Sequence, residues 1–232
     1  MIDKFISLCE TYPKHTHLHI ALADISFKFP GDCKYPNLSV RIDGFGLINP
    51  LEGRTVATLP EIWLAKCLGA EFTYHEAVII DDYELPEDVI ENRDDKSYAF
   101  RTHLRNLFNL RDEAKKNNNE LLQQLYKTYS NSIYGKLSQG IAKKSTFNTR
   151  EGGTKCLPKS SITNSYYASM TTGLIRAALS ELLVAIDELI QEGHKYKIIS
   201  ATTDGLLYGI DEKIVSVADT LDMEHKSYTF NT

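Results

Sequence analysis

Apolar residues recur every three or four positions in the middle of the chain, as in amphipathic helices. Within Tyr98 to Lys116, one predicted side is apolar and the basic residues lie elsewhere. The apolar set is Phe100, Leu104, Leu107 and Leu110, and the basic set is Arg101, Arg105, Arg111 and Lys115. Asparagines 117–119 interrupt this pattern, and Glu120 to Tyr134 is helical again, with Gly135 predicted to end the helix. Two helices joined by a short polar turn predict an antiparallel helical hairpin.

On either side of this hairpin the spacing of apolar residues predicts both strands and helices. The chain as a whole is therefore predicted to be α+β. Thr58-Leu59-Pro60-Glu61 is a capping box with proline in the first turn, and its helix is predicted to stop at Gly69. A long apolar helix is predicted around Ser169 to Ile190. The predicted strands are His19 to Phe29, Leu38 to Ile42, Leu47 to Leu51 (paired with the preceding strand across Asp43-Gly44) and Phe72 to Ile80.

A second hairpin, made of strands, is predicted near the end of the chain. Ile198 to Tyr208 is an apolar run, a polar tip and another apolar run. Asp-Gly between two strand-like segments is a strong turn signal, and it places the carboxylate of Asp204 at the bend. A hairpin with no chemistry explains the same pattern.

Three side chains of different chemistry share one face of the second predicted helix. Lys127, Asn131 and Tyr134 stand at i, i+4 and i+7, so they project in the same direction. A cation, an amide and a flat ring facing one space suit a ligand with a phosphate tail and a base. We therefore predict a nucleotide as the ligand.

Cations of the first helix are predicted to join this face. From Asn118, Arg111 lies seven residues back and Lys127 nine forward. This offset of two residues is roughly 3 Å along a helix, so both cations can flank one triphosphate. Lys115 follows Arg111 at i+4. The alternative is a solvated basic face without a ligand.

The charge distribution favours an anionic ligand only locally. The chain carries a net charge of −5, which is unusual for a protein that grips a polyanion over a wide surface. Arg101 to Arg150 nevertheless has ten Lys or Arg against three acids, or +7. Asp81 to Asp95 has eight acids against one Arg, which is typical of an exposed linker.

The pattern Lys-x-x-x-Asn-Ser-x-Tyr-Gly, from Lys127 to Gly135, resembles the fingers motif of family B DNA polymerases. The nearest branch is that of phages, linear plasmids and related mobile elements. The Asp204 hairpin follows at the expected distance and resembles the palm hairpin of that family, usually Asp-Thr-Asp-Ser. Thr203 and Gly205 replace the first Asp and the Ser, so the signature is a variant.

The resemblance implies a fold, a domain layout and an activity. The fold would be a polymerase-like palm, an antiparallel sheet backed by helices, with an α-helical hairpin as fingers. Residues 1–96 would be a palm-associated region, 97–135 the fingers and 136–232 the palm with the Asp204 hairpin. The activity would be DNA-directed DNA polymerase, a nucleotidyltransferase of DNA replication, with dNTP and a DNA primer-template as partners.

The same resemblance implies roles for individual residues. Asp204 would be the catalytic residue and a ligand of Mg²⁺. The nucleotide would be bound by Arg111, Lys115, Lys127, Asn131 and Tyr134.

One carboxylate cannot hold two metal ions, and the family takes a second from an upstream Asp-x-x-Ser/Gly-x-Tyr-Pro motif. Asp24 to Pro30 has the Asp and the Pro but places Phe27 where a small residue is expected, and it fits better as the strand after that motif. We therefore expect the chain to be a fragment or split subunit that starts downstream of this motif, with an upstream polymerase subunit or a terminal protein as partner.

Two alternatives remain open. One is a catalytically inactive, polymerase-derived protein that binds nucleic acid, consistent with Thr203 and Gly205. The other is a cytosolic α+β interaction protein whose basic hairpin binds an acidic partner.

Other features exclude several classes. His15, His17 and His19 alternate along a predicted strand, where a third ligand lies too far away to share one zinc ion. Four cysteines without Cys-x-x-Cys spacing are typical of free thiols in a reducing compartment. No apolar run is long enough to cross a membrane, and Met1 to Glu10 lacks a signal-peptide pattern. We expect a cytoplasmic location, that of the host cell if the protein is viral.

Overall fold

A computed structural model describes residues 1–12, 20–80, 100–141, 144–150, 152–191, 196–202 and 205–210. The chain divides into two compact units, one formed by Met1–Asp81 with Ser169–Thr232 and the other by Asp82–Ala168. Helices and small antiparallel sheets occur together, as the predicted α+β class requires. Within the described ranges, no helix is long and apolar enough to cross a membrane.

The elements of the first unit are α1 (Ile2–Thr11), β1 (Ile20–Lys28), β2 (Val40–Ile42), β3 (Gly46–Ile48), β4 (Glu52–Thr58), α2 (Leu59–Cys67) and β5 (Glu71–Ile80). The second unit contains α3 (Arg101–Lys116), α4 (Glu120–Ser138), β6 (Ser145–Asn148) and β7 (Gly153–Cys156). Helix α5 (Ser165–Gln191) begins in the second unit and continues in the first, which also holds β8 (Tyr196–Ala201) and β9 (Leu206–Ile210).

A three-stranded antiparallel sheet in the order β4-β1-β5 supports the first unit. Alternate residues of β1 point to one face, and Ala21, Ala23, Ile25 and Phe27 are all buried there. Helices α1 and α2 add Phe5 and Ile62, both fully buried, to the same core. Each such large apolar side chain contributes roughly 1.5–3 kcal/mol when it leaves water.

Helix α2 begins at the predicted capping box. The backbone N–H of Thr58 donates to Glu61 Oε2 at 3.0 Å, and the Thr58 hydroxyl donates to the same oxygen at 2.6 Å. Arg176 of α5 donates from Nε to Glu61 Oε1 at 2.7 Å. The Glu61 side chain is only 3% exposed, so the guanidinium balances a buried charge and fastens α5 to the start of α2.

In the first unit the predicted strands are confirmed with shifted ends, and one strand, β4, was missed. Strands β2 and β3 pair across the predicted turn, but β3 is Gly46–Ile48, earlier than predicted. Strand β4 begins at Glu52, shortly after the end of β3, and pairs with β1. The sequence pattern did not indicate this pairing. The alternating histidines His15, His17 and His19 lie outside the described residues, as does the acidic segment Asp81 to Asp95.

The second unit contains the predicted helical hairpin, although the end of its second helix differs from the prediction. Helices α3 and α4 are joined at Asn117–Asn119 and contact each other. The Asn119 side chain caps α4 by accepting a hydrogen bond from the Leu122 backbone N–H at 3.1 Å. The prediction that Gly135 ends the helix is wrong, since α4 continues to Ser138. Strands β6 and β7 form a hairpin that was not predicted.

Candidate functional site

Helices α3 and α4 pack along two complementary seams. On α3 the buried or half-buried side chains are Leu104, Leu107, Arg111 and Ala114. On α4 they are Gln123, Tyr126, Ser130, Ile133 and Leu137, together with Ser138 at the helix end. Both sets are spaced alternately by three and four residues, which is the spacing of helices that pack along a narrow stripe.

This seam corrects the predicted faces of α3. Leu110, predicted to be on the apolar side, is 40% exposed. Arg111, predicted to be off that side, occupies a seam position between Leu107 and Ala114 and is half-buried. Its guanidinium therefore belongs to the face of α3 that is turned toward α4.

Arg111 and Lys127 line one surface depression with a volume of about 550 Å³. Its other lining residues all come from the first turns of α4: Glu120, Leu121, Gln123 and Gln124. The structure thus brings together the two cations that the hairpin geometry paired. The depression is also lined by the amides of Gln123 and Gln124 and the carboxylate of Glu120, which the sequence reasoning missed.

The remaining predicted nucleotide ligands lie beside this depression, outside its lining. Lys115 is exposed on α3 and is not among the lining residues. Asn131 and Tyr134 follow Lys127 along α4 and are exposed, Tyr134 by 42%. At about 1.5 Å per residue, Tyr134 stands roughly 10 Å from Lys127 along the helix axis. This separation is comparable to the distance between the phosphate tail and the base of a nucleotide.

The hairpin predicted to carry Asp204 forms, but Asp204 itself lies outside the described residues, as does Thr203. Strands β8 and β9 pair antiparallel up to Ala201 and Leu206. The backbone N–H of Thr202 then donates to the Gly205 carbonyl oxygen at 2.8 Å and closes the turn. The turn is thus at the predicted place in the chain, in the first of the two units.

Asp24 lies in β1 and has a cationic partner. Arg54 of β4 donates from Nε to Oδ1 at 3.0 Å and from Nη2 to Oδ2 at 2.7 Å. This two-point pair holds the pKa of the Asp24 carboxyl below its usual range. Asp24 is therefore half of an ion pair between two neighbouring strands, and Asp24 to Lys28 forms the end of the predicted strand.

Among the residues whose positions the structure gives, no group of three His, Cys, Asp or Glu side chains is arranged to hold a metal ion. Asp204 remains the one Mg²⁺ ligand that the sequence predicts.

Comparisons with known proteins place these features in a family. The family model described as "DNA polymerase type B, organellar and viral" matches residues 92–208, which include both helices of the hairpin and the β8–β9 turn. The chain is 36% identical over 188 residues to "Primer-independent DNA polymerase PolB" of Escherichia coli. That alignment covers 81% of this chain and 20% of the relative, so the chain spans about a fifth of the relative's length. No solved structure matches.

The family match covers about half of this chain, and the chain belongs to the type B DNA polymerases of the organellar and viral kind.

Proposed function

We propose that this chain supplies the fingers hairpin and one metal-binding carboxylate of a DNA-directed DNA polymerase. The substrate is a dNTP, and the reaction is template-directed nucleotidyl transfer to the 3′ hydroxyl of a DNA primer. In this proposal α3 and α4 are the fingers, and the first unit with the β8–β9 hairpin belongs to the palm.

The observation that carries the proposal is the shared depression of Arg111 and Lys127. Two cations from different helices at one depression attract a group with several negative charges, such as a triphosphate. Membership of the type B polymerases supports the same ligand. Glu120 at the rim repels an anion, so the cations must outweigh it when the nucleotide binds.

Each residue of the hairpin has a role in this proposal. Arg111 is held by the seam and binds the triphosphate as a planar, two-point donor. Lys127 neutralises the triphosphate from α4, and Lys115 contacts the triphosphate from α3 when the hairpin closes over the substrate. Asn131 and Tyr134, farther along the same face, pack against the sugar and the base.

Asp204 acts at the primer end of the substrate. Together with a second carboxylate from outside this chain it would hold Mg²⁺, which when bound offsets negative charge on the phosphate oxygens. We infer that this second carboxylate belongs to an upstream polymerase segment or subunit.

Primer extension tests the proposal. The chain is incubated with a primed DNA template, dNTPs and Mg²⁺, alone and together with a polypeptide that carries an Asp-x-x-Ser/Gly-x-Tyr-Pro segment. We expect extension only from the pair, and loss of extension with Asp204→Asn or Lys127→Ala. Lys116→Ala is the control, because Lys116 is an exposed cation at the end of α3 that does not line the depression.

Normal extension by the pair with Asp204→Asn would contradict the role of Asp204. If no combination extends a primer while DNA binding persists, the chain is instead an inactive nucleic-acid-binding relative. The replacement of the usual palm Asp by Thr203 favours this second candidate.

A further inference from the structure

The strand hairpin whose turn contains Asp204 follows directly after the long helix α5. Among the strands that the structure describes, β8 and β9 pair only with each other, and neither extends the β4-β1-β5 sheet. Strand β8 begins at Tyr196, shortly after α5 ends at Gln191. A two-stranded hairpin has little stability of its own. The direction in which this hairpin points therefore depends on how the end of α5 is held.

A buried carboxylate lies one turn before the end of α5. The side chain of Asp187 is only 8% exposed. Its Oδ2 accepts a hydrogen bond from Gln191 Nε2 at 2.9 Å, and its Oδ1 accepts one from the ammonium group of Lys34. The same ammonium group lies 5.3 Å from the centroid of the Tyr35 ring, within the range of a cation–π contact. Because a charge removed from water needs an opposite charge beside it, Lys34 compensates the burial of Asp187.

The segment that carries Lys34 is fastened to the first unit on both sides. Before Lys34, the Phe29 backbone N–H donates to the Leu51 carbonyl oxygen at 2.7 Å. After Lys34, Asn37 Nδ2 donates to the Glu61 carbonyl oxygen at 2.8 Å, and Asn37 is only 1% exposed. Lys34 therefore extends to α5 from a backbone segment that is held in place by the sheet and by α2.

Helix α5 is thus held by ion pairs at two points. Arg176 binds the Glu61 side chain at the start of α2, and Asp187 binds Lys34. At about 1.5 Å per residue, the two points are roughly 16 Å apart along the helix axis. A helix held at two separated points has a defined direction, whereas a helix held near one end can pivot. The Lys34–Asp187 pair is the point nearer to β8.

We propose that Lys34 is a positioning residue of the polymerase reaction, which fixes the last turn of α5 through Asp187 and so orients the β8–β9 hairpin with Asp204. Lys34 itself contacts neither the substrate nor the metal ion in this proposal. Catalytic groups must be held to within about 0.5 Å of their productive positions. The effect of Lys34 on catalysis rests on the proposed function, whereas its effect on the orientation of the hairpin does not.

The distance between two spin labels, measured by pulsed electron paramagnetic resonance, tests this orientation in the chain alone. The labels are attached to Val56→Cys on β4 and Leu207→Cys on β9, two positions that are 62% and 58% exposed. The buried Cys9 is left unchanged, and the three other cysteines are replaced by serine: Cys33, Cys67 and Cys156.

The test variant combines Lys34→Met with Asp187→Asn, which removes the ion pair without leaving an unpaired buried charge. We expect a broader distribution of label distances in this variant, because the last turn of α5 is no longer held. The control combines Lys28→Met with Glu52→Gln, which removes an ion pair between two exposed side chains of the same unit. We expect the control to keep the distribution of the unsubstituted chain. Thermal melting verifies that each variant is folded at the temperature of the measurement.

Primer extension by the chain together with its upstream polypeptide measures the catalytic effect. We expect the test variant to lower kcat roughly 100-fold, the usual effect of misplacing a catalytic group by about 1 Å. The KM for dNTP should change little, because Arg111 and Lys127 belong to the other unit. Lys34→Arg, which keeps a cation beside Asp187, should retain most of the activity.

The inference is overturned if the test variant and the control give the same distance distribution, or if the distribution broadens while kcat is unchanged. A different result, no primer extension by any combination of polypeptides, would contradict the proposed function. In that case the label distances alone still decide whether Lys34 orients the hairpin.

Discussion

Two carboxylates of the first unit, Asp24 and Glu181, differ in their surroundings and hence in their pKa. Arg54 donates two hydrogen bonds to Asp24 and lowers its pKa. Burial of Glu181 on α5 raises its pKa from 4.5 to about 7. Burial first, and the Glu181 charge second, also raise the pKa of the Tyr12 phenol. Glu181 is therefore the carboxyl whose charge opposes folding near neutral pH.

Glu181 makes the stability of the chain depend on pH. Because its pKa is higher in the folded state, the folded state holds this proton more tightly. The resulting stability is fully present below about pH 4.5 and is lost as the pH rises through about 7. We expect Glu181→Gln, which cannot ionise, to raise the melting temperature at about pH 8 more than at about pH 5.

Glu188→Gln is the control for this experiment, since Glu188 is an exposed carboxylate on the same helix. We expect the effect on the melting temperature to differ between the two pH values more for Glu181→Gln than for Glu188→Gln. An equal effect of Glu181→Gln at the two pH values would mean that Glu181 does not resist ionisation in the folded state.

At the residue scale, the sequence could place Arg111 and Lys127 at one candidate site but not predict their degree of burial. Lys127, Asn131 and Tyr134 were predicted from spacing alone, and the continuous helix α4 places them on one face. Arg111 was placed off the apolar side of its helix, yet the 104, 107, 111, 114 spacing is itself typical of a packing seam. An arginine stem can occupy an apolar stripe while its guanidinium reaches the rim.

At the element scale, Gly135 and Gly173 both lie in long helices, but only Gly173 is closely packed against a neighbouring element. Gly173 of α5 faces the start of α2, where an added Cβ would overlap the Thr58 hydroxyl and lie 2.8 Å from Glu61 Oε2. Gly135 of α4 has no atom within 4 Å of an added Cβ. The same substitution should therefore have opposite effects at the two positions.

We expect Gly173→Ala to destabilise the chain by about 1–3 kcal/mol, because the helices must separate or the capping box must shift. Gly135→Ala should stabilise it by roughly 0.5–1 kcal/mol, because alanine is the better helix former. Chemical denaturation of the two variants measures both changes. A neutral Gly173→Ala would show that α5 does not pack this closely on α2.

Long periodic elements were predictable, and short exposed ones were not. Helices α3 and α4 were predicted because their apolar residues recur with the helical period over many residues. Strands β6 and β7 have four residues each and are almost entirely exposed, so no alternation of apolar residues marks them. Gly135 did not end α4 because the seam continues to Leu137, whose carbonyl oxygen accepts a hydrogen bond from the Asn164 backbone N–H at 2.9 Å.

At the scale of the whole molecule, the predicted nucleotide-binding cations and the predicted metal-binding hairpin belong to different units. The unit formed by Asp82–Ala168 holds the cationic helical hairpin and the β6–β7 hairpin. The unit with Met1–Asp81 and Ser169–Thr232 holds the β1 sheet and the β8–β9 hairpin. Local charge reconciles the net charge of −5 with the proposed binding of a polyanion, because Arg101 to Arg150 alone carries +7. The sequence showed this separation of charge, whereas the division of the fold depends on contacts distant in sequence.

The central claim is that the α3–α4 hairpin binds the triphosphate of a nucleotide through Arg111 and Lys127. Calorimetric titration of the chain with dNTP tests it directly, with Arg111→Gln, Lys127→Gln and the exposed control Lys116→Gln. We expect each of the first two variants to weaken binding roughly 10- to 100-fold, the usual effect of losing a hydrogen bond to a charged group, and Lys116→Gln to bind normally. The corresponding monophosphate should bind more weakly and be insensitive to these substitutions. Equal dNTP affinity in all three variants and the unsubstituted chain would contradict the claim.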